Sequence, residues 1–303
     1  MLSVVIPAHN EEIMLPRTAD AISDLLEKNG IDYEILFVDD GSKDRTWETI
    51  AVAHEKDSRV RGISFSRNFG KEAAVFAGLT ECEGDCAVVM DCDMQHPPEK
   101  VLEMYRLWEQ GYEIVEGVKS NRGREHAARG FAAKCFYRLI SNATGIDMSG
   151  ASDFKLLDRK AILALINMTE KDAFFRALSS WIGFKSTQIS YDVREREAGE
   201  SSWSTGGLVK YAITNITAYT SVPLQIVTIL GIVMLVLGVV ISIQSLYKWY
   251  TGSALEGFTT VIILQCFSSS FIMISLGIIG YYISKIYEGI QNRPRYIISE
   301  KIR

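Results

Sequence analysis

The chain has 303 residues, of which 48% are hydrophobic and 23% charged, and its formal net charge is -5 at pH 7. This size suits one large α/β domain with a smaller appendage. The acidic balance and the lack of nucleic-acid-binding motifs argue against nucleic acid as a partner. The five cysteines form neither CxxC pairs nor clusters with histidine, so the sequence indicates no zinc site and no disulfide framework.

Residues 1–200 alternate short apolar runs with segments of helical length, which is the pattern of a β-α-β fold. The runs predicted as strands are Leu2–Pro7, Tyr33–Asp39, Val60–Ser64, Cys86–Asp91 and Glu113–Gly117. This order favours an α/β domain with a mostly parallel sheet that is covered on both faces. The apolar start of the chain lacks a basic region and is too short for an export signal, so we expect the domain to stay in the cytosol.

Polar and acidic clusters follow three of these runs. They are Asn10-Glu11-Glu12, Asp39-Asp40-Gly41-Ser42 and Asp91-Cys92-Asp93-Met94-Gln95. A single Asp after a strand is usually a turn former or a helix cap. Three such clusters at one edge favour a ligand site, because ligands of parallel sheets bind beyond the carboxyl ends of the strands.

The third cluster has the donor atoms of a divalent cation site. Asp91 and Asp93 can place carboxylate oxygens around one ion, and Gln95 can add a neutral oxygen. Such hard ligands suit Mg²⁺ or Mn²⁺. An ion held there can bridge the phosphates of a nucleotide diphosphate and neutralise a leaving group.

Two long uncharged apolar stretches, 222–247 and 257–284, are each predicted to span a membrane. A buried helical hairpin of a soluble protein is the alternative. Basic residues flank the outer ends of the pair, so both termini and the α/β domain are expected on the cytoplasmic side. Residues 201–221 are predicted as a juxtamembrane interfacial segment, and residues 285–303 as a cytoplasmic tail.

Four motifs carry a resemblance to a known family. They are Val4-Val5-Ile6-Pro7-Ala8-His9-Asn10-Glu11-Glu12, Val38-Asp39-Asp40-Gly41-Ser42, Asp91-Cys92-Asp93-Met94-Gln95-His96-Pro97-Pro98 and Arg196-Glu197-Ala198-Gly199-Glu200-Ser201. Together they resemble family 2 glycosyltransferases with the GT-A fold. Within that family the chain is most similar to polyprenyl-phosphate glycosyltransferases, which comprise dolichol-phosphate mannose synthases and bactoprenol glucosyltransferases.

The resemblance implies a role for individual residues. It assigns nucleotide-sugar binding to Pro7, Glu11, Asp39 and Asp91, and metal binding to Asp91, Asp93 and Gln95. It places Asp93 and Asp153 at the reacting centre, with Asp153 in positioning and electrostatics first and as general base second. Basic and hydroxyl side chains would receive the acceptor phosphate, namely Lys119, Arg122, Arg129, Arg196 and Ser201.

The expected activity is therefore inverting transfer of a hexose from a nucleotide-sugar to a polyprenyl phosphate, either undecaprenyl or dolichyl, with Mg²⁺ or Mn²⁺. Glucose from uridine diphosphate glucose (UDP-glucose) is the first choice of donor, and guanosine diphosphate mannose follows. Related proteins with paired spans form tetramers, so a homotetramer is an open expectation. Two alternatives remain: a processive polysaccharide synthase, and a membrane-anchored nucleotide-sugar-binding scaffold without turnover.

Overall fold

The computed structural model describes residues 1–120, 152–168, 174–192, 222–251, 258–291 and 293–303. The chain divides into two compact units. The first combines residues 1–208 with residues 293–303, and the second comprises residues 209–292. The end of the chain therefore belongs to the same unit as its beginning.

The first unit alternates strands and helices in the order expected from the sequence. Its described elements are β1 (Leu2–Ala8), α1 (Leu15–Lys28), β2 (Tyr33–Asp39), α2 (Thr46–Lys56), β3 (Val60–Phe65), α3 (Lys71–Glu81), β4 (Cys86–Val89), α4 (Glu99–Glu109), β5 (Ile114–Lys119), β6 (Lys155–Asp158), α5 (Arg159–Ile166), α6 (Phe175–Trp181), β7 (Ser186–Tyr191) and β8 (Ile298–Ile302).

These strands form one sheet in the order β7-β5-β6-β4-β1-β2-β3-β8. Strand β1 lies at its centre and pairs in parallel with β2 and β4, while β2 pairs in parallel with β3. Strand β6 runs antiparallel between β4 and β5. The predicted α/β fold with a mostly parallel sheet is thus confirmed, and the carboxyl ends of β1, β2 and β4 meet at one edge.

The apolar runs become central strands because helices cover both faces of the sheet. All seven residues of β2 are buried, as expected for a parallel strand with no solvent face. Helix α1 turns one stripe toward this core, with buried residues at helical spacing that include Leu15, Ala19, Ile22 and Leu26. The rigid centre of the sheet holds the loops at its carboxyl edge in place.

The final strand is a finding that the sequence analysis did not predict. Strand β8 pairs antiparallel with β3, with Gly62 opposite Ile302. Its outer contacts include a hydrogen bond from Trp47 Nε1 to Glu300, 2.9 Å long. The segment predicted only as a cytoplasmic tail therefore ends as an edge strand of the main sheet.

The second unit contains two long helices, α7 (Val222–Tyr250) and α8 (Phe258–Ile290). Within them, Leu224–Lys248 has a mean hydropathy of 3.0 and Phe267–Ile290 of 1.5, and each stretch is long and apolar enough to cross a membrane. The helices contain the predicted stretch 222–247 and, from residue 258 onward, the predicted stretch 257–284, whose first residue lies outside the described residues. Membrane insertion itself stays a prediction.

Candidate active site

The loops after β1 and β2 are tied to each other by hydrogen bonds. The backbone N–H of Asn10 donates to Ser42 Oγ at 2.9 Å, and the N–H of Lys43 donates to Asn10 Oδ1 at 2.9 Å. Asn10 has a φ of 58°, a left-handed conformation that Asn tolerates better than most residues. The N–H of Glu11 donates to Thr46 Oγ1 at 2.9 Å. Glu11 is thereby fixed beside the start of α2.

Pro7 and Asp39 lie at the ends of the neighbouring strands β1 and β2, one register position apart, because Pro7 pairs with Val38 and Ala8 with Asp39. Asp39 is only 2% exposed. Its Oδ1 accepts the N–H of Ser42 at 3.0 Å and its Oδ2 accepts the hydroxyl of Ser64 at 2.8 Å. These hydrogen bonds use much of the acceptor capacity of the Asp39 carboxylate to hold the loop after β2.

The neighbouring Asp40 holds a second loop. Its carboxylate accepts the N–H groups of Phe69 and Gly70, at 2.6 and 2.8 Å. Burial raises the pKa of Asp40, and these two donors oppose the shift. At Gly41, whose φ is 64°, a Cβ would lie 2.4 Å from the backbone carbon of Arg67, so only glycine fits. The two loops are in close contact just before α3 begins.

The third loop makes a tight turn after β4. Asp93 Oδ1 accepts the N–H of Gln95 at 3.1 Å, and Met94 between them has a φ of 57°. The N–H of Asp91 donates to Nδ1 of His96 at 3.1 Å. The His96 ring is buried and stacks on Phe154, with centroids 4.7 Å apart. Burial lowers the pKa of His96, so the ring is neutral near pH 7 and Nδ1 can accept.

A lysine that the sequence analysis missed lies between two carboxylates of the site. Lys71 Nζ is 2.6 Å from Asp91 Oδ1 and 2.9 Å from Asp153 Oδ2. Burial alone would lower the pKa of Lys71, but the two carboxylates outweigh it and the pKa is raised. Lys71 is therefore a permanent cation at physiological pH. In the sequence, only the preceding Gly70 marks this position. In the structure Gly70 has a φ of 99°, and Lys71 is the first residue of α3.

Asp153 is paired with a second cation, Arg176. The guanidinium donates through Nε to Asp153 Oδ1 at 2.6 Å and through Nη2 to Oδ2 at 2.8 Å. Burial would raise the pKa of Asp153, but Lys71 and Arg176 hold it far below its usual value. A carboxylate bound in this way is a weak base. The geometry therefore favours a positioning and electrostatic role for Asp153 over proton abstraction.

A buried ion pair connects the elements next to Asp153 and Arg176. Lys155 is 1% exposed, and its Nζ lies 2.9 Å from Glu116 Oε1 and 2.8 Å from Ser179 Oγ. Burial lowers the pKa of Lys155, and Glu116 opposes that shift. The contacts join β5, β6 and α6. They fix the strand that follows Asp153 against the helix that carries Arg176.

Glu72, next to Lys71 in the chain, is a carboxyl group with a raised pKa. Its Oε2 accepts the N–H of Phe175 at 2.9 Å. Burial first, and then the nearby Asp153 carboxylate, raise the pKa of Glu72 to about 7. This hydrogen bond joins the first turn of α3 to the start of α6. It is a second link between the elements that carry Lys71 and Arg176.

The predicted acceptor-phosphate residues are only partly within the described structure. Lys119 is exposed at the end of β5, opposite Tyr191 of β7. Arg122, Arg129, Arg196 and Ser201 lie outside the described residues. The described structure thus brings together Pro7, Glu11, Asp39, Asp91, Asp93, Gln95 and Asp153 at the loops of one sheet edge. Their roles toward ligands stay predictions.

The donor set of the third loop fits a divalent cation that is completed by substrate. Within the described part of the chain, no group of three or more His, Cys, Asp or Glu side chains is arranged to hold a metal. Mg²⁺, however, is commonly bound by one or two carboxylates together with substrate phosphates. Asp91 and Asp93 supply two carboxylates, and Gln95 follows on the same turn. An incomplete site of this kind suits an ion whose remaining ligands include the phosphate oxygens of a substrate.

An open, mostly parallel sheet with acidic loops along its carboxyl edge defines the class of nucleotide-binding α/β enzymes. Residues 3–165 match the profile of the family described as "Glycosyl transferase family 2", and the chain belongs to that family. The expected family is thereby confirmed, and the chain is a glycosyltransferase.

Full-length relatives sharpen this placement. The chain is 38% identical to the uncharacterized glycosyltransferase YkcC of Bacillus subtilis over 300 residues, covering 98% of this chain and 93% of that protein. It is 31% identical to the bactoprenol glucosyl transferase of Shigella phage SfII over 310 residues, covering 100% and 98%. The resemblance to bactoprenol glucosyltransferases is therefore confirmed along the whole chain.

Solved structures confirm the GT-A fold. Mannosyl-3-phosphoglycerate synthase from Rubrobacter xylanophilus superposes with a TM-score of 0.51 at 18% identity, covering 72% of each chain. Glucosyl-3-phosphoglycerate synthase from Mycobacterium tuberculosis, in a complex with Mn²⁺, UDP-glucose and phosphoglyceric acid, gives 0.50 at 20% identity, covering 72% of this chain and 78% of that one. At these identities the likeness concerns the fold.

Proposed function

We propose that this chain is an inverting glycosyltransferase that moves glucose from UDP-glucose to a polyprenyl phosphate at the cytoplasmic face of a membrane. The full-length similarity to a bactoprenol glucosyl transferase supports the substrate classes. The observation that carries the proposal is the charge order at the sheet edge, where Asp91, Lys71, Asp153 and Arg176 alternate in sign and each contacts the next.

This order suits a reaction between two phosphate-bearing substrates. Asp91, Asp93 and Gln95 would hold Mg²⁺ or Mn²⁺, which when bound neutralises charge on the departing nucleoside diphosphate. Lys71 presents an ammonium beside the same carboxylate and can bind the diphosphate directly. Arg176, on the far side of Asp153, adds positive charge where a second phosphate approaches.

The acceptor needs little help from a base. A phosphate monoester is already largely ionised near pH 7, and Asp153 is held as an ion-paired carboxylate. The side chains therefore act by positioning the two substrates and by compensating charge. A single displacement by the phosphate oxygen at the anomeric carbon inverts its configuration, and the nucleoside diphosphate leaves from the opposite face.

The two long apolar helices fit the same proposal. Their length and hydropathy suit membrane spans, and an anchor of this kind would keep the first unit near a lipid whose phosphate stays at the membrane surface. The basic residues that flank the pair support a cytoplasmic location for both termini.

The decisive experiment measures transfer of labelled sugar by the full chain in detergent. UDP-glucose, guanosine diphosphate mannose and other donors are offered in turn with a short-chain polyprenyl phosphate and Mn²⁺ or Mg²⁺. Asp93→Ala is compared with the matched surface variant Asp24→Ala, whose side chain is 71% exposed in a pair with Lys28. We expect one glucose per lipid, of inverted configuration, that disappears with chelator and in Asp93→Ala but persists in Asp24→Ala.

Other outcomes would replace the proposal. Binding of UDP without lipid-linked product from any donor would favour a nucleotide-sugar-binding scaffold. Addition of several sugars to one acceptor would favour a processive synthase. Product from guanosine diphosphate mannose alone would support the proposed reaction and identify the transferred sugar as mannose.

A further inference from the structure

The last residues of the chain contact Phe65 at the end of β3, Phe76 in α3 and the carbonyl of Met168 after α5. We call residues 293–303, which belong to the first unit, the C-terminal tail. Its strand β8 lies at the far edge of the sheet, beside β3. Two side chains just before that strand, Arg295 and Tyr296, reach toward the site through aromatic contacts.

Tyr296 supports the loop that precedes Lys71. Its ring stacks on Phe65, with centroids 5.1 Å apart and planes 10° from parallel. Phe65 in turn meets the edge of Phe69 at 5.8 Å. The N–H of Phe69 is held by Asp40 at 2.6 Å, and Lys71 follows two residues later. The position of Lys71 is therefore fixed from one side by Asp40 and from the other by the tail.

Arg295 supports the start of the helix that carries Arg176. Its guanidinium lies 4.5 Å from the centre of the Phe76 ring and its Nη2 donates to the carbonyl of Met168 at 2.6 Å. Phe76 meets the edge of Phe175 at 6.4 Å, and Arg176 is the next residue. A second chain of contacts thus joins the tail to the other cation.

We propose that Arg295 and Tyr296 are positioning residues, which hold Lys71 and Arg176 at their common partner Asp153. The catalytic part of this inference rests on the proposed function. Its physical basis is that two cations on different elements must meet one carboxylate within hydrogen-bond distance. Small displacements of such groups reduce catalysis strongly. The contacts of Tyr296 restrain the loop before α3, and those of Arg295 run through Phe76 of α3 to the start of α6.

The tail also contains a matched control. Lys301 Nζ lies 2.7 Å from Glu81 Oε2, at the opposite end of α3 from Lys71. Lys301→Met removes a contact between the tail and α3 without changing a residue in either of the two chains of contacts described above. Tyr296→Phe is the conservative variant, because it keeps the ring that stacks on Phe65.

The test compares Arg295→Met, Tyr296→Ala, Tyr296→Phe and Lys301→Met in the full-length protein by hydrogen exchange, which requires no activity. We expect faster exchange around residues 69–70 in Tyr296→Ala and around residue 175 in Arg295→Met, because local opening becomes easier where a restraint is lost. Tyr296→Phe and Lys301→Met should match the unmodified chain at both places. Thermal midpoints show that each variant is folded.

Steady-state transfer supplies the second measurement. We expect kcat to fall about tenfold in Arg295→Met and in Tyr296→Ala, with activity retained in Tyr296→Phe and Lys301→Met. Exchange in the two test variants that equals exchange in Lys301→Met overturns the inference, and so does faster exchange with unchanged kcat. If the unmodified chain transfers no sugar, the proposed function fails while the exchange comparison still decides whether the tail positions the two segments.

Discussion

The two flanks of the site use carboxylates in different ways. On the flank formed by the loops after β1 and β2, Asp39 and Asp40 accept hydrogen bonds from neutral N–H and O–H groups. On the flank formed by the loop after β4 and the start of β6, Asp91 and Asp153 are paired with cations. Under the proposed function, the first flank shapes loops around an uncharged part of the donor, and the second compensates the charge of the phosphates. Substitutions that remove only the charge should separate them.

The largest effect should come from the same substitution made on each flank. Asp91→Asn removes the charge of a carboxylate that we propose as a metal ligand, and with it the anionic partner of Lys71. We expect kcat/KM for UDP-glucose to fall about thousandfold. Asp39→Asn keeps an acceptor oxygen for the Ser42 N–H, and its amide NH2 can donate to the Ser64 hydroxyl, so it removes the charge while both contacts can persist. A loss of about tenfold is expected there. Equal losses in steady-state assays would mean that the two flanks do not differ in function.

Loss of the buried Lys155, which follows Asp153 by two residues, should lower the free energy of unfolding. Lys155→Met leaves Glu116, with its side chain 13% exposed, without its ammonium partner. Breaking a buried pair in this way costs about 3–5 kcal/mol of unfolding free energy. Lys160→Met is the control, because Lys160 is 76% exposed and 4.0 Å from Glu113. Thermal or denaturant unfolding of the two variants should therefore differ widely, and similar midpoints would contradict the assignment of a buried ionic support.

A smaller effect should follow the loss of the central cation. Lys71→Met removes an ammonium that we expect to contact the donor diphosphate, so UDP affinity in the presence of Mn²⁺ should fall about tenfold. Calorimetric titration measures this change. Lys28→Met, at a side chain 74% exposed in a surface pair with Asp24, should leave UDP affinity unchanged. Unaltered binding in Lys71→Met would place the diphosphate away from this lysine.

The sequence predicted the sheet because its signal is local. Runs such as Tyr33–Asp39 are apolar and bounded by turn residues, and they become buried strands wherever helices cover both faces. The acidic loops were also predictable, since polar residues after parallel strands gather at one edge. Local patterns of this kind located Asp39, Asp91 and Asp93.

The sequence did not predict the ion pairs, because these depend on residues far apart in the chain. Lys71 meets Asp153 across 82 positions, and no local pattern marks Lys71, Arg176 or Lys155 as partners of a carboxylate. Strand β8 was missed for a related reason. It has five residues and half-buried ends, so its identity as a strand comes from pairing with β3 and not from its own composition.

The last prediction concerns the pH dependence of stability and again sets the charged flank apart. In the unfolded chain Glu72 releases its proton near pH 4.5, whereas in the folded protein burial and Asp153 raise its pKa to about 7. Between these values the folded state binds more protons than the unfolded state, so the contribution of Glu72 to the unfolding free energy falls as pH rises. Lys71 and Arg176 oppose the shift and keep it moderate.

Glu72→Gln tests this directly, because the amide oxygen can still accept the N–H of Phe175 while the titration is lost. The unmodified chain should lose stability relative to Glu72→Gln as pH rises from 4.5 toward 7, when thermal midpoints are measured in parallel. Glu48→Gln, in the first turn of α2, should show the slope of the unmodified chain. Parallel curves for Glu72→Gln and the unmodified chain would mean that Glu72 is ionised throughout, and that the N–H of Phe175 donates to a charged carboxylate.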